Sequence, residues 1–226
     1  MLLPTLHHQM RQCRLCAEAG HEIVQGAVFS MGSNPRVLLI GQAPGVTEAV
    51  SKRPFNASSG QRLFTWLAEA GWEEGPFRGT HYMTAVTKCY PGKHPNGKGD
   101  RVPSPAEQAL CRPYLEQEIR LINPRLMILV GKLAIQLLYP AKATLQELIG
   151  TAAYFPPSAL TADPLNFDLG RAKQVTQFGG EPDGRYVVPL PHPSGASLWP
   201  NLPANKALIG RALALLAAIR EGWELG

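Results

Sequence analysis

Three short runs of uninterrupted apolar residues constrain this chain more than anything else in it. They are Val37-Leu38-Leu39-Ile40, Leu126-Met127-Ile128-Leu129-Val130 and Tyr186-Val187-Val188-Pro189-Leu190. Side chains along a strand point alternately to its two faces, so a strand that is apolar at every position needs both faces covered. Such runs fit a parallel sheet packed between helices better than a half-exposed antiparallel one. His81 to Val86 is a weaker fourth candidate.

Helical patterns fill the intervals. Gly60 to Ala70 sets Leu63, Phe64, Leu67 and Ala70 on one face. Ser104-Pro105-Ala106-Glu107 has the form of a helix start, with a Ser cap, Pro at the first position and Glu at the third. Asn123-Pro124 stops that helix near Ile122. Gly131 to Leu138 predicts a short helix and Pro203 to Arg220 the longest. Strands alternating with helices predict a three-layer α/β/α fold, and 226 residues suit one domain better than two. Residues 155–185, rich in Pro, Gly and Asp, form a long excursion before the last strand.

An open parallel sheet binds ligands in the crevice beyond the carboxyl ends of its strands. Three loops therefore make the expected site: Gly41-Gln42-Ala43-Pro44-Gly45, Cys89-Tyr90-Pro91-Gly92 and Pro191-His192-Pro193-Ser194-Gly195. The first lacks the G-x-G-x-x-G spacing of a dinucleotide site, which argues against a nucleotide-binding redox protein. The charge balance, 22 Lys+Arg against 17 Asp+Glu for a net +5, is compatible with an anionic partner without demanding one. No apolar run approaches the roughly 18 residues of a membrane span. The first residues, MLLPTLHHQMRQCRLC, lack the cationic-then-apolar order of a signal peptide. A soluble, monomeric, cytoplasmic protein is the expectation. Four cysteines in that setting are thiols or metal ligands rather than disulfides. Cys13 and Cys16 form a C-x-x-C pair, while Cys89 and Cys111 stand singly. A zinc ribbon normally shows two close pairs. A [4Fe–4S] cluster can draw four thiolates from scattered segments, and unrelated buried thiols need no metal at all. Spacing leaves the three open.

Taken in order, several segments resemble the uracil-DNA glycosylase superfamily, and within it the iron–sulfur branch called family 4. They are Cys13-Arg-Leu-Cys16, Val37-Leu-Leu-Ile-Gly-Gln-Ala-Pro-Gly45 with Glu48, and Arg53-Pro-Phe-Asn-Ala-Ser-Ser-Gly60. Thr87-Lys-Cys-Tyr-Pro-Gly92, Pro103-Ser-Pro-Ala-Glu-Gln-Ala-Leu-Cys111, Ile122-Asn-Pro-Arg-Leu-Met-Ile-Leu-Val-Gly131 and His192-Pro-Ser-Gly195 follow. The resemblance spans residues 10 to 198. It implies a four-stranded parallel sheet between helices, in a single domain with an N-terminal cysteine-containing segment. It implies an enzyme of base excision repair that flips uracil out of single- or double-stranded DNA and hydrolyses its N-glycosidic bond, leaving an abasic site. It also implies a structural [4Fe–4S] cluster held by Cys13, Cys16, Cys89 and Cys111.

Breaking that bond builds negative charge on the departing base and positive charge on the sugar, so a donor at the base and a held water are needed. By resemblance His192 is the donor, Phe55 stacks on the base, and Ser194 and Gly195 face a flanking phosphate. Leu198 or Trp199 is the candidate wedge for the vacated stack. Position 42 is Gln where relatives commonly carry Glu; its amide oxygen can orient water but is no general base. Glu48 matches a second acidic position and is a catalytic candidate, to hold the water or neutralise the developing positive charge, against the alternative of a solvated loop charge. Gln42, Ala43 and Asn56 complete the expected base contacts. Relatives carry a uracil-reading Asn four residues before the third cysteine, where this chain has Ala85, beside Thr84. Lys52 and Arg53, with Lys93, His94, Lys98 and Arg101 of the 92–101 insertion, are candidate backbone contacts. Gln42 and Ala85 sustain one alternative, a protein that binds uracil-containing or abasic DNA with little turnover.

Overall fold

The computed structural model describes residues 2–97, 99–165, 167–195 and 198–226. Its sheet contains β1 (Val37–Gly41), β2 (Tyr82–Ala85), β3 (Leu126–Val130), β4 (Ala152–Phe155), β5 (Lys173–Val175) and β6 (Arg185–Leu190). The order across the sheet is β2-β1-β3-β6-β4-β5. The first four are mutually parallel, and every residue in them is buried. Consecutive buried residues mean that both sheet faces are covered, the arrangement anticipated from the apolar runs.

The sheet has six strands rather than four. The parallel core is as expected, and β4 and β5 extend it through antiparallel pairing beyond β6. The 155–185 excursion thus makes a sheet edge. Its outer strand β5 is only three residues, Lys-Gln-Val, and largely exposed, so no apolar run marks it. Arg185 fastens the excursion to the core. Fully buried, it donates from Nε to the Pro124 carbonyl at 2.8 Å, from Nη1 to Pro164 O at 2.7 Å and from Nη2 to Asn123 Oδ1 at 3.0 Å.

The helices are α1 (Leu3–Gln12), α2 (Leu15–Glu18), α3 (Val46–Ser51), α4 (Ser58–Glu69) and α5 (Glu74–Thr80), then α6 (Pro105–Ile122), α7 (Lys132–Ile135), α8 (Leu145–Leu148), α9 (Pro157–Ala162) and α10 (Pro203–Gly222). The α6 cap forms as its sequence predicts. Ser104 Oγ accepts from Glu107 N at 3.2 Å, and the Glu107 carboxylate accepts from Ser104 N at 2.7 Å. At the far end Asn123 turns left-handed at φ 45°. The 131–138 segment is shorter than predicted, a single turn of α7. Helix α10 packs on β6 and α4, and α1 packs on α6. No helix is long and apolar enough to cross a membrane, among the described residues.

Candidate active site

Beyond the carboxyl ends of the four parallel strands lies one cleft. Its walls include Gly41 at the end of β1, Ala85 at the end of β2, Val130 at the end of β3 and His192 just past β6. β1 continues to β2 on one side and to β3 on the other, so the cleft sits where the chain order reverses.

Phe55 lines this cleft in a constrained pose. Its backbone is left-handed, at φ 51°. Arg78 grips the turn, donating from Nη1 to Pro54 O and from Nη2 to Phe55 O, both at 2.7 Å. Two glycines make room: a Cβ on Gly60 would lie 1.9 Å from the Phe55 carbonyl oxygen, and one on Gly41 2.8 Å from the ring's Cζ. Glu48 holds the same turn from beneath. Its Oε1 accepts from Asn56 N at 3.0 Å and Ala57 N at 3.2 Å, while Oε2 accepts from Gly45 N at 3.1 Å. Glu48 is therefore neither a solvated loop charge nor an uncommitted base. It is buried, caps α3 and fastens the stacking loop to it. Arg78 was not anticipated, and Gly41 and Gly60 stood in the motifs without an assigned role; a bulky residue in a Gly-rich setting was the available signal.

His192 is open to the cleft, yet surrounding protein displaces enough water to lower its pKa below the ordinary 6.5. Its Nδ1 accepts from Ser194 N–H at 3.2 Å. A backbone N–H can only donate, so the neutral ring carries its proton on Nε2. Gly131, at φ 85°, lets the ring lie close; a Cβ there would be 3.1 Å from Cδ2. The HPSG loop thus presents a neutral N–H donor, with Ser194 also lining the cleft.

The base-contact expectations divide. Gln42, Ala43 and Ala85 line the cleft. Asn56 does not: its side chain is exposed, and its backbone serves Glu48. Thr84 cannot replace the missing amide either, since its hydroxyl donates to buried Glu118 at 3.0 Å. Glu118 also receives the Tyr82 hydroxyl at 3.0 Å and the Lys88 ammonium at 2.6 Å. This pair is what carries the apolar strand β2 past its polar Thr84.

The cationic candidates also divide. Lys52 and Arg53 are exposed beside the Phe55 turn, Lys52 donating to Gly26 O at 3.2 Å and Arg53 lying 3.7 Å from Glu74. Lys93 and His94 are exposed on a short hairpin closed by pairing of Lys93 with Asp100. Lys98 lies outside the described residues. Arg101 is not available to a phosphate: its two terminal nitrogens grip the Glu107 carboxylate at 2.7 and 2.6 Å, and this holds Glu107 down at about 2. Gly195 is exposed at the cleft loop. Leu198 is 75% exposed, whereas Trp199 packs against the core, so the wedge geometry falls to Leu198.

All four cysteines line a second cavity, between α1, α2, α6 and the loop after β2. Cys13 caps α1, Cys16 lies in α2, Cys111 in α6, and Cys89 follows β2. Burial first, then mutual repulsion, pushes the Cys16 thiol up to about 11; burial does the same to Cys89. Donors already face the sulfurs: Lys88 N–H lies 3.3 Å from Cys111 Sγ, and the Gly26 backbone bonds Cys89. Thr87 lines the cavity too. Among the described residues, no group of three or more His, Cys, Asp or Glu side chains could hold a metal ion.

Comparison with known proteins places the chain in a family. Residues 29–217 match the family model described as the uracil DNA glycosylase superfamily. The type-4 uracil-DNA glycosylase of Pyrobaculum aerophilum is 36% identical over 154 residues, covering 68% of this chain and 69% of that protein. The type-4 uracil-DNA glycosylase of Thermotoga maritima is 30% identical over 198 residues, covering 85% and 82%. That of Archaeoglobus fulgidus is 29% identical over 138 residues, covering 61% and 63%.

Proposed function

Since this chain belongs to the uracil DNA glycosylase superfamily, we propose that it works as a type-4 uracil-DNA glycosylase, excising uracil from DNA during repair. The observation that carries the mechanism is the Ser194 N–H bond to His192 Nδ1, which leaves Nε2–H as the donor in the same cleft as the braced Phe55. A flipped uridine enters the cleft and its base stacks on Phe55, a contact worth ~1–3 kcal/mol. The C1′–N1 bond breaks with its electron pair leaving on uracil. His192 Nε2–H donates to the base oxygen where that charge accumulates, and no proton need cross because the ring is already neutral. Water adds to C1′ and its proton passes to solvent. The Gln42 carboxamide orients this water through its oxygen, which lowers the entropic cost of attack without acting as a base. Products are free uracil and an abasic site. Ser194 and Gly195 meet a flanking phosphate, Lys52 and Arg53 the backbone beyond it, and Leu198 fills the gap in the stack. The protein acts as a monomer on cytoplasmic DNA, single- or double-stranded.

Cys13, Cys16, Cys89 and Cys111 would hold a [4Fe–4S] cluster. Two features support the fit. A cubane spreads four thiolates over four irons around a shared volume, and all four cysteines line one cavity. Backbone donors already face two of the sulfurs, from Lys88 N–H to Cys111 and from Gly26 to Cys89. When bound, the cluster would cross-link α1, α2, α6 and the loop that follows β2, away from the bond that is cleaved.

The test is cleavage of a labelled uracil-containing oligonucleotide, both single- and double-stranded, with alkaline scission of the abasic product. Wild type should give strand breaks, and His192→Ala should lower the single-turnover rate by ~10²–10³ with DNA affinity unchanged. Tight binding without strand breaks would instead establish a damage-binding protein.

A further inference from the structure

Thr87 is a buried side chain that the mechanism does not use. It is 6% exposed, and its hydroxyl oxygen has no hydrogen-bond partner among the described residues. Burying a hydroxyl without a partner is destabilising, so one that persists calls for an acceptor. Thr87 lines the cavity that the four cysteines share. It stands two residues before Cys89, and the next residue, Lys88, directs its backbone N–H at Cys111. Three other polar side chains on that wall have partners, the Tyr114 hydroxyl bonding Cys13. Glu107 is held by Arg101, and the Lys88 ammonium by Glu118 and the Ala85 carbonyl at 2.6 Å.

We infer that the Thr87 hydroxyl is a hydrogen-bond donor to the sulfur of the iron–sulfur cluster, adding to the donors already supplied by the Lys88 and Gly26 backbones. This rests on the cluster assignment above. Donors to cluster sulfur stabilise the more negative, reduced form and so raise the reduction potential. Thr87 has a second attachment, which ties the cluster to the catalytic cleft. Its backbone N–H donates to Gln42 O at 3.3 Å, and Val86 N–H to Gly41 O at 2.9 Å. One residue therefore faces the cluster with its side chain and braces the Gln42 loop with its backbone.

The experiment uses full-length protein purified without oxygen. Iron and acid-labile sulfide are counted, and the cluster potential is measured by film voltammetry for wild type, Thr87→Val and Thr87→Ser. Thr87→Val keeps the shape and removes the hydroxyl; Thr87→Ser keeps the hydroxyl. The expected result is a lower potential and several-fold faster chelator bleaching of the visible absorption in Thr87→Val, with Thr87→Ser close to wild type. A loaded Thr87→Val with the wild-type potential and bleaching rate overturns the inference, as does an equal shift in both variants, which would mark loss of packing. A wild-type protein that carries no iron overturns the cluster assignment itself.

Discussion

Substituting Gly41 by Ala tests whether the Phe55 ring is held where catalysis needs it. Gly41 does not use the left-handed region, so its backbone accepts Ala without strain. The added methyl is what matters: its nearest neighbour is Phe55 Cζ at 2.8 Å, against about 3.5–4.0 Å for a comfortable carbon contact. The ring must yield by roughly 1 Å. Its backbone cannot follow, because Arg78 holds both carbonyls of the turn and Gly60 lies against Phe55 O. The ring must therefore rotate off its seat and lose most of the stack on the base. At ~1–3 kcal/mol per stacked base, the loss is about 5- to 150-fold in kcat/KM. Single-turnover cleavage of a uracil oligonucleotide by Gly41→Ala, Phe55→Ala and the double variant decides it, with thermal midpoints confirming that each is folded. Gly41→Ala should approach Phe55→Ala, and the double variant should be no slower than Phe55→Ala. Losses that multiply in the double variant would refute the reasoning, because the methyl would then be meeting the base itself.

Three other outcomes are expected. Ala85→Asn, which places an amide on the cleft wall, should raise uracil cleavage relative to hypoxanthine and xanthine by up to ~1–3 kcal/mol in discrimination; a parent already strict for uracil would show that another group reads the base. Burial holds the His81 pKa at about 4 in the folded protein against 6.5 in a free chain. The unfolded chain therefore takes up the proton first as pH falls, and stability should drop from about pH 6.5 toward pH 4 by up to ~3 kcal/mol. Urea midpoints of wild type and His81→Gln across that range check this, the variant showing the shallower slope. Arg101→Met, leaving buried Glu107 without its main partner, should cost about 2–3 kcal/mol in urea unfolding. The salt dependence of DNA binding should not change; a shallower salt slope would return Arg101 to the phosphate surface.

The parallel core, the α6 cap and the loops that line the cleft were legible in the amino-acid sequence. Each is a local signal: an apolar run needs two covered faces, Ser-Pro-x-Glu closes its own cap, and a loop after a parallel strand falls in the crevice. His192 and Phe55 were legible because their neighbours in sequence are also their neighbours in the motif. The edge pair β4–β5 was not, because short strands at a sheet edge are set by pairing with β6 rather than by their own pattern. Tertiary structure alone decided the roles of the charged residues. A carboxylate or guanidinium carries no mark in sequence of whether it will meet water or a buried partner. Glu48 was taken by three backbone N–H groups, Arg101 by Glu107, and Arg78, unremarked in sequence, became the clamp on Phe55. Those assignments depend on which groups the fold leaves buried and unpaired, and burying a charge without a partner is too costly for any other outcome.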